Sequence, residues 1–357
     1  MLRTFRVFSR LGHLPPMEEE QVQWTLSESL HLDVLCYKAK GKQKGCIIAV
    51  HGMSPEGAYD KRWVQLCRAY ANLGYAVYAP TFPSISNLYI EANQIEQIQA
   101  CIEHLYLKTK HPIGLLSVSF SGGICVQACE DDKVAQMIQS MMLIGSYFDV
   151  KSTMNVAVQA DDPYAWQIVF ANFAQLPKAV AACLLELAKD NYFKRTVPYW
   201  TKSHNLTENE FQLLEQILAS AQVRASMWSD LSGDLQRDIE YFDPSSSYEK
   251  IKIPTFFLHG RRDHIIQAEQ SLLAHQCLSQ RCVPTAVEIT DLLSHGDASS
   301  SRLKKLGSFW SLLTLIQKFL NHIKPPCTVQ ARLEVELISN GKPNAKLSQK
   351  LSLPKCI

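Results

Sequence analysis

A cluster of small residues beside Ser119 has the composition of a turn that exposes a nucleophile. A predicted strand over Ile113–Val118 runs into this cluster, and helical spacing begins directly after it. A sharp strand-to-helix turn presents a central serine hydroxyl above the carboxyl end of the strand and needs small residues two positions before and after it. Ser117 and Ser121 occupy these positions, where glycine is usual. Ser119 is therefore a candidate nucleophile, with the N–H of Phe120 free to bind a developing oxyanion.

Ser121 is an alternative nucleophile, because the same cluster fits a second turn centred on it. Ser119 lies two positions before Ser121, and Gly123 lies two positions after it. The length of the predicted strand favours Ser119, since the apolar segment ends at Val118. A nucleotide-binding turn is the other interpretation, but no Gly-x-Gly-x-x-Gly or Walker pattern accompanies the cluster.

A serine nucleophile needs a base to remove its proton and a carboxylate to orient that base. Asp263 lies in the loop beyond a second apolar strand, predicted at 255–258, and His295 follows a third, predicted at 286–289. The interval between Asp263 and His295 is the length of one strand–helix–strand unit. His264 adjoins Asp263 and is an alternative base, whereas His51 and His259 are interpreted as structural.

Alternating strands and helices position these residues. Strands are predicted at 46–50, 75–79, 113–118 and 141–144, each followed by helical periodicity or by a change in pattern. Such alternation predicts parallel strands joined by right-handed crossovers. Only helical periodicity runs from 151 to 248, after which the alternation returns. The pattern therefore predicts a three-layer α/β/α sandwich with a mostly parallel central sheet and an inserted helical cap.

The same pattern divides the chain into four parts. Residues 1–150 are predicted to form the first part of the core, 151–248 the helical cap and 249–324 the second part of the core. Residues 325–357 follow a Pro-Pro pair as a C-terminal extension. Apolar and polar residues alternate there before an Asn-Gly turn signal, so we expect a β-hairpin.

Four segments in this order resemble the α/β-hydrolase superfamily, in particular its capped serine esterase, lipase and thioesterase-like members. The segments are Val50–Met53, the turn at Ser119, Leu258–Asp263 and Ser294–Gly296, and the resemblance covers about residues 20 to 323. It implies that Ser119, Asp263 and His295 are nucleophile, acid and base. It also implies that Met53 supplies the second oxyanion N–H. In related enzymes the acid sometimes follows the strand before the cap, where Asp149 stands here, so Asp149 is an alternative acid.

Composition excludes several other classes of protein. The chain has 357 residues, 46% of them hydrophobic and 20% charged, and a net charge of +2, which does not favour nucleic acid or an anionic membrane as partner. No apolar stretch approaches about 18 residues, so no integral membrane segment is expected. The eleven cysteines indicate reduced thiols and a cytoplasmic location. No residue cluster indicates a metal, and no cofactor is expected.

These patterns predict a serine hydrolase that cleaves a carboxylic ester or thioester through an acyl-enzyme intermediate. Leucines and isoleucines of the predicted cap indicate either an apolar pocket for a small-molecule acyl substrate or the packing of the cap itself; they are Leu176, Leu184, Leu185, Leu187, Ile217 and Leu218. An acyltransferase that uses the same intermediate is one alternative, and a non-catalytic binding protein on the same fold is another. The oligomeric state is left open.

Overall fold

The fold is organised around one mixed β-sheet, seen in a computed structural model that describes residues 1–202, 205–231, 233–293 and 305–324. The predicted C-terminal hairpin at 325–357 lies outside these residues. The strands are β1 (Glu19–Thr25), β2 (His31–Tyr37), β3 (Gly45–Val50), β4 (Tyr75–Pro80), β5 (Ile113–Val118), β6 (Ile138–Ile144), β7 (Thr255–Gly260) and β8 (Thr285–Thr290). Their order in the sheet is β1-β2-β4-β3-β5-β6-β7-β8.

The sheet is parallel from β4 to β8, whereas β2 pairs antiparallel with both β1 and β4. All six residues of β3 and all six of β7 are buried, as expected of parallel strands covered on both faces. In β1 only Trp24 is buried, as expected of a strand at the edge of the sheet. The predicted mostly parallel sheet is confirmed.

Helices cover both faces of the sheet. They are α1 (Leu2–Phe8), α2 (Lys61–Leu73), α3 (Pro83–Ser86), α4 (Gln94–Thr109), α5 (Phe120–Ala128), α6 (Asp132–Gln136), α14 (Ala268–Gln280) and α15 (Lys305–His322). Apolar residues of α1, α2 and α15 share one buried cluster, and those of α4, α5 and α14 share another. The predicted three-layer sandwich is therefore confirmed.

Every element that the structure describes between β6 and β7 is helical. These elements are α7 (Val150–Gln159), α8 (Pro163–Phe173), α9 (Lys178–Tyr192), a 3₁₀ turn (Tyr199–Lys202), α10 (Glu208–Ala219), α11 (Ala221–Ser229), α12 (Gly233–Glu240) and α13 (Ser245–Tyr248). We call residues 150–248 the insertion. Leu184 and Ile217 have no exposed surface, and Leu185 and Leu187 are also buried. Packing among helices accounts for these side chains, so the apolar substrate stays a prediction.

The described residues give two further findings. The structure shows no disulfide among the cysteines it describes, and most of them are buried. None of the helices in the described ranges is both long and apolar enough to cross a membrane.

Candidate active site

Ser119 forms the turn between β5 and α5 in a backbone conformation that is unusual for a residue with a side chain. Its φ is 58° and its ψ is −138°. Such values are unfavourable for non-glycine residues and persist only where the surroundings impose them. The Ser119 N–H donates to the Ile144 carbonyl (2.8 Å), and the Gly122 N–H donates to the Ser119 carbonyl (3.0 Å). These bonds hold a half-buried serine at the carboxyl edge of the sheet, as the sequence predicts.

The two serines that replace the usual glycines are both fully buried. Ser117 lies within β5, opposite Val50 and Leu143 of the neighbouring strands. The Ser121 hydroxyl donates to the His51 carbonyl at 2.6 Å. The alternative nucleophile thus makes a hydrogen bond that joins α5 to the loop after β3.

That loop, residues 51–60, is here called the β3 loop, and it passes directly beside the turn at Ser119. A Cβ atom added to Gly52 would lie 3.2 Å from the Cβ of Ser119 and 3.2 Å from the Val118 carbonyl oxygen. Glycine favours this close approach, because a Cβ atom here would make tighter contacts than are usual and would require a small shift of the two loops. The approach brings Met53, the next residue, close to the turn at Ser119.

His51 fixes the orientation of the peptide group that contains the Met53 N–H. The Phe82 N–H donates to His51 Nε2 (3.1 Å), so Nδ1 carries the ring proton and donates to the Gly52 carbonyl (2.8 Å). Burial lowers the pKa of His51 to about 4, which keeps the ring neutral near pH 7. Because the peptide is planar and trans, its N–H points away from His51. Within the described residues, neither the Met53 N–H nor the Phe120 N–H donates a hydrogen bond.

Asp263 lies in the loop after β7, and its carboxylate is held by backbone groups. Oδ1 accepts the N–H groups of Ile265 and Ile266, each at 3.0 Å, and only 5% of the side chain is exposed. The buried His259 lies 3.6 Å from Oδ2 but bonds Ser271 Oγ and the Ile266 carbonyl. A Cβ atom added to Gly145 would lie 3.5 Å from Asp263 Oδ2, so the carboxylate reaches the end of β6, whose Ile144 carbonyl accepts the Ser119 N–H.

His295, the predicted base, lies outside the described residues. The chain is described up to Leu293, two residues earlier, and a Cβ atom added to Gly260 would lie 2.5 Å from the Leu293 carbonyl oxygen. The loop after β8 therefore crosses the carboxyl end of β7.

The alternative acid and base make other contacts. Asp149 caps α7, accepting the Ser152 N–H at 2.8 Å. His264 Nε2 lies 2.9 Å from the Asp162 carboxylate, at the rim of an open cleft of about 520 Å³ between α7 and the loop after β7. Met53, Ser119 and Asp263 do not line this cleft.

Two tyrosines that the sequence did not single out bind the β3 loop. The Tyr164 hydroxyl donates to the Met53 carbonyl, and the Tyr192 hydroxyl accepts the Ser54 hydroxyl at 2.8 Å. A buried tyrosine hydroxyl usually has a partner, but sequence does not say which. Here the partners are 111 and 138 residues away along the chain, so no local pattern could have identified them.

Asp60 connects the same loop to α2 and to Tyr192. It begins α2 by accepting the Arg62 N–H, and its carboxylate also accepts the Tyr192 hydroxyl and the Arg62 guanidinium (2.7 Å). Burial raises the pKa of the Asp60 carboxyl, but hydrogen bonds from Arg62 and Tyr192 outweigh it and hold the pKa at about 2. The carboxylate thus stays ionised near neutral pH and fixes the end of the β3 loop.

Solved structures similar to this one share its fold. No protein-family model and no curated protein sequence matches the chain. The acylaminoacyl peptidase from Pyrococcus horikoshii aligns with 89% of this chain and 43% of its own at 13% identity, with a TM-score of 0.51. An esterase from Pyrococcus furiosus aligns with 87% of this chain and 92% of its own at 14% identity, with a TM-score of 0.51. A puromycin-hydrolysing peptidase from Mycobacterium tuberculosis aligns with 87% of this chain and 41% of its own at 13% identity, with a TM-score of 0.52.

This chain thus spans less than half the length of the two peptidases. At these identities the likeness concerns the fold. Together with the sheet order and the flanking helices, it shows that the chain has the α/β-hydrolase fold, as the sequence predicts.

Proposed function

We propose that this chain is a serine hydrolase that cleaves a carboxylic ester or thioester. The observation that carries the proposal is the strained backbone of Ser119, at φ 58° and ψ −138°, at the carboxyl edge of the sheet. A fold by itself does not assign a function, so the proposal depends on this site. Backbone strain often occurs at functional sites, and two N–H groups without a partner among the described residues could bind the oxyanion of acyl transfer.

In the proposed mechanism, His295 removes the Ser119 proton while Oγ attacks the acyl carbon. Asp263 orients the imidazole, and the N–H groups of Met53 and Phe120 bind the oxyanion of the tetrahedral intermediate. One such donor is worth about 2.7–4 kcal/mol of barrier. The imidazolium then protonates the leaving group, and an acyl-enzyme forms.

Deacylation repeats these steps with water as nucleophile. His295 removes a proton from the water as it attacks the acyl carbon, and the acid product leaves when Ser119 regains its proton. The role of His295 is taken from its place in the sequence, and the course of the chain over Gly260 supports it. The position of Asp263 Oδ2 beside Gly145, at the end of β6, supports that carboxylate as the acid, whereas the Asp149 carboxylate caps α7.

The decisive test compares Ser119→Ala with its matched control, Ser121→Ala. We expect wild type and Ser121→Ala to be labelled by a fluorophosphonate and to hydrolyse p-nitrophenyl esters. Ser119→Ala should lose labelling, and its kcat/KM should fall by at least about 10⁴-fold. Asp263→Asn, compared with Asp149→Asn, tests the acid in the same assays. Labelling of folded Ser119→Ala, or loss of labelling in Ser121→Ala alone, would contradict the assignment.

Product analysis separates the proposed hydrolase from its alternatives. Ester substrates of increasing acyl length, each with and without an added alcohol, should yield the free acid, with longer acyl groups preferred if the substrate is apolar. Transfer of the acyl group to the alcohol would instead indicate an acyltransferase, and a wild type without labelling would indicate a binding protein. Amide substrates belong in the panel because two of the similar structures are peptidases.

A cytoplasmic location is also proposed. The described cysteines carry free thiols, and most of these are buried. Free cysteines are typical of a reducing compartment.

A further inference from the structure

Tyr164, the second residue of α8, fixes the peptide group that follows Met53. Its hydroxyl donates to the Met53 carbonyl at 2.5 Å. Burial raises the pKa of Tyr164, so the hydroxyl remains a donor. His51 already holds the preceding peptide through the Gly52 carbonyl. Side-chain hydrogen bonds therefore set the orientation of both peptide groups that flank Met53.

Tyr192, the last residue of α9, holds the next residue of the β3 loop. Its hydroxyl accepts the Ser54 hydroxyl at 2.8 Å and donates to the Asp60 carboxylate. The Arg62 guanidinium donates to the same hydroxyl at 3.1 Å. The rings of Tyr192 and Tyr164 lie 5.8 Å apart, so the two tyrosines bind consecutive residues of the loop from one side.

We propose that Tyr164 and Tyr192 are positioning residues that aim the Met53 N–H at the developing oxyanion. The inference deepens the proposed function and rests on it. Neither tyrosine needs to touch the reacting atoms, because Tyr164 acts through the Met53 carbonyl and Tyr192 acts through the side chains of Ser54 and Asp60. The insertion would then complete the oxyanion site as well as cover the sheet.

Such a role affects the transition state more than the bound substrate. A preorganised N–H stabilises the oxyanion because its dipole is already aligned when charge develops on the oxygen. A neutral ester carbonyl gains much less from the same alignment. Loss of a positioning hydroxyl should therefore lower kcat and leave KM nearly unchanged.

The test removes single hydroxyl groups. Tyr164→Phe and Tyr192→Phe are compared with the control Tyr75→Phe. Tyr75 is the first residue of β4, at the opposite end of the strand from the site, and its hydroxyl donates to the Leu320 carbonyl of α15 at 3.2 Å. The kcat and KM for a p-nitrophenyl ester are measured well below each variant's melting temperature. The inhibition constant of an alkyl boronic acid, which forms a tetrahedral adduct with a serine nucleophile, is measured in parallel.

We expect kcat to fall about 10- to 100-fold in Tyr164→Phe, which is less than the loss that removal of a whole oxyanion donor causes. The fall in Tyr192→Phe should be smaller. KM should stay within about twofold, and boronate affinity should fall by the same factor as kcat/KM. Tyr75→Phe should retain wild-type kinetics. If Tyr164→Phe does not fold, the parallel loss in Tyr192→Phe carries the test.

Other results would overturn the inference. One such result is that Tyr164→Phe and Tyr192→Phe keep the kcat and the boronate affinity of wild type. Another is that Tyr75→Phe loses as much kcat as they do. A third is that KM alone rises in Tyr164→Phe and Tyr192→Phe. Failure of the proposed function has a different signature, because wild type itself would then resist the fluorophosphonate. That outcome would overturn both proposals, whereas the others leave the role of Ser119 standing.

Discussion

At the scale of single residues, the turn at Ser119 keeps its shape although serine replaces both usual glycines. Ser117 is enclosed within β5, and the hydroxyl of Ser121 binds the carbonyl of His51. The second replacement adds a link between α5 and the β3 loop that a glycine could not supply. Small size at these positions is therefore sufficient, and the strict glycine pattern is not required.

His51 should make the free energy of unfolding depend on pH below neutrality. Burial lowers its pKa from 6.5 to about 4 in the folded chain, so the unfolded chain binds the proton first as the pH falls. Stability should therefore decrease from pH 7.5 to pH 5, by about 2 kcal/mol from this group. Urea unfolding at both pH values measures the loss. His51→Gln should remove this part of the pH dependence, and an unchanged dependence would contradict the assignment.

The sequence predicts residues whose role depends on local context. The candidates Ser119 and Asp263 each follow an apolar segment closely, and the structure places both at strand ends. Tyr164 and Tyr192 have no such context, because their partners come from a distant part of the chain. Contacts between residues so far apart in the chain are thus visible only in the structure.

At the scale of elements, the register of the parallel strands assembles the candidate site. Val50 lies opposite Ser117, and Ile144 lies opposite both Val118 and Leu258. Strands β3, β5, β6 and β7 therefore end within two residues of one another, and the loops that follow them lie at one edge of the sheet. Alternation of strands and helices predicts this edge from sequence, because crossovers keep the strands parallel.

Strand order was beyond the sequence, as was the antiparallel pairing of β2 with β1 and β4. These features depend on which strand edges meet, and no local residue pattern specifies that. The short helices α3 and α6 were also missed, since four or five residues do not establish a period.

Gly260→Ala should impair catalysis through the loop that follows β8. The added Cβ atom would lie 2.5 Å from the Leu293 carbonyl oxygen, so backbone must move in the loop that leads to His295. We expect kcat/KM to fall at least about tenfold, with a loss of about 1–3 kcal/mol of stability from overpacking. Esterase assays and urea unfolding measure the two effects. Gly307→Ala, whose Cβ atom would meet nothing within 4 Å, is the control; equal kinetics in both variants would refute the expectation.

At the scale of the whole molecule, helix α8 joins the insertion to three loops at the carboxyl edge of the sheet. Tyr164 binds the β3 loop, and Asp162 contacts His264 in the loop after β7. Asn172 accepts the Ile90 N–H at 2.8 Å and donates to the Leu88 carbonyl at 2.9 Å, in the loop after α3. Helix α8 and its N-cap residue thus contact the loops that follow β3, α3 and β7.

Helix α1 packs against α2 and α15 and shares their buried apolar cluster. The Phe8 ring meets Tyr70 edge to face at 5.8 Å, and Tyr70 in turn meets Phe319 at 5.9 Å. Of the seven residues of α1, Thr4 and Phe8 are buried. Its buried aromatic residue makes α1 part of the core.

Phe8→Ala should therefore destabilise the fold without changing the candidate site. Phe8 is 6% exposed, and removal of such a ring usually costs about 3–5 kcal/mol. Leu2→Ala, at a side chain that is 68% exposed, should change the free energy of unfolding by less than about 0.5 kcal/mol. Urea denaturation measures both variants. Similar losses of unfolding free energy in the two variants would show that α1 does not pack as described. If Phe8→Ala had a reduced kcat at a temperature where it is folded, the helix would be coupled to the site.

The contacts of α8 bear on any attempt to exchange the insertion for that of another α/β-hydrolase chain. A chimaera with junctions after β6 and before β7 would lose Asp162, Tyr164 and Asn172 together. Each of three loops would then lose a side-chain contact that now holds it. Altered turnover in that chimaera would then report a displaced scaffold as much as a new specificity. Engineering of this region should begin with α8 retained.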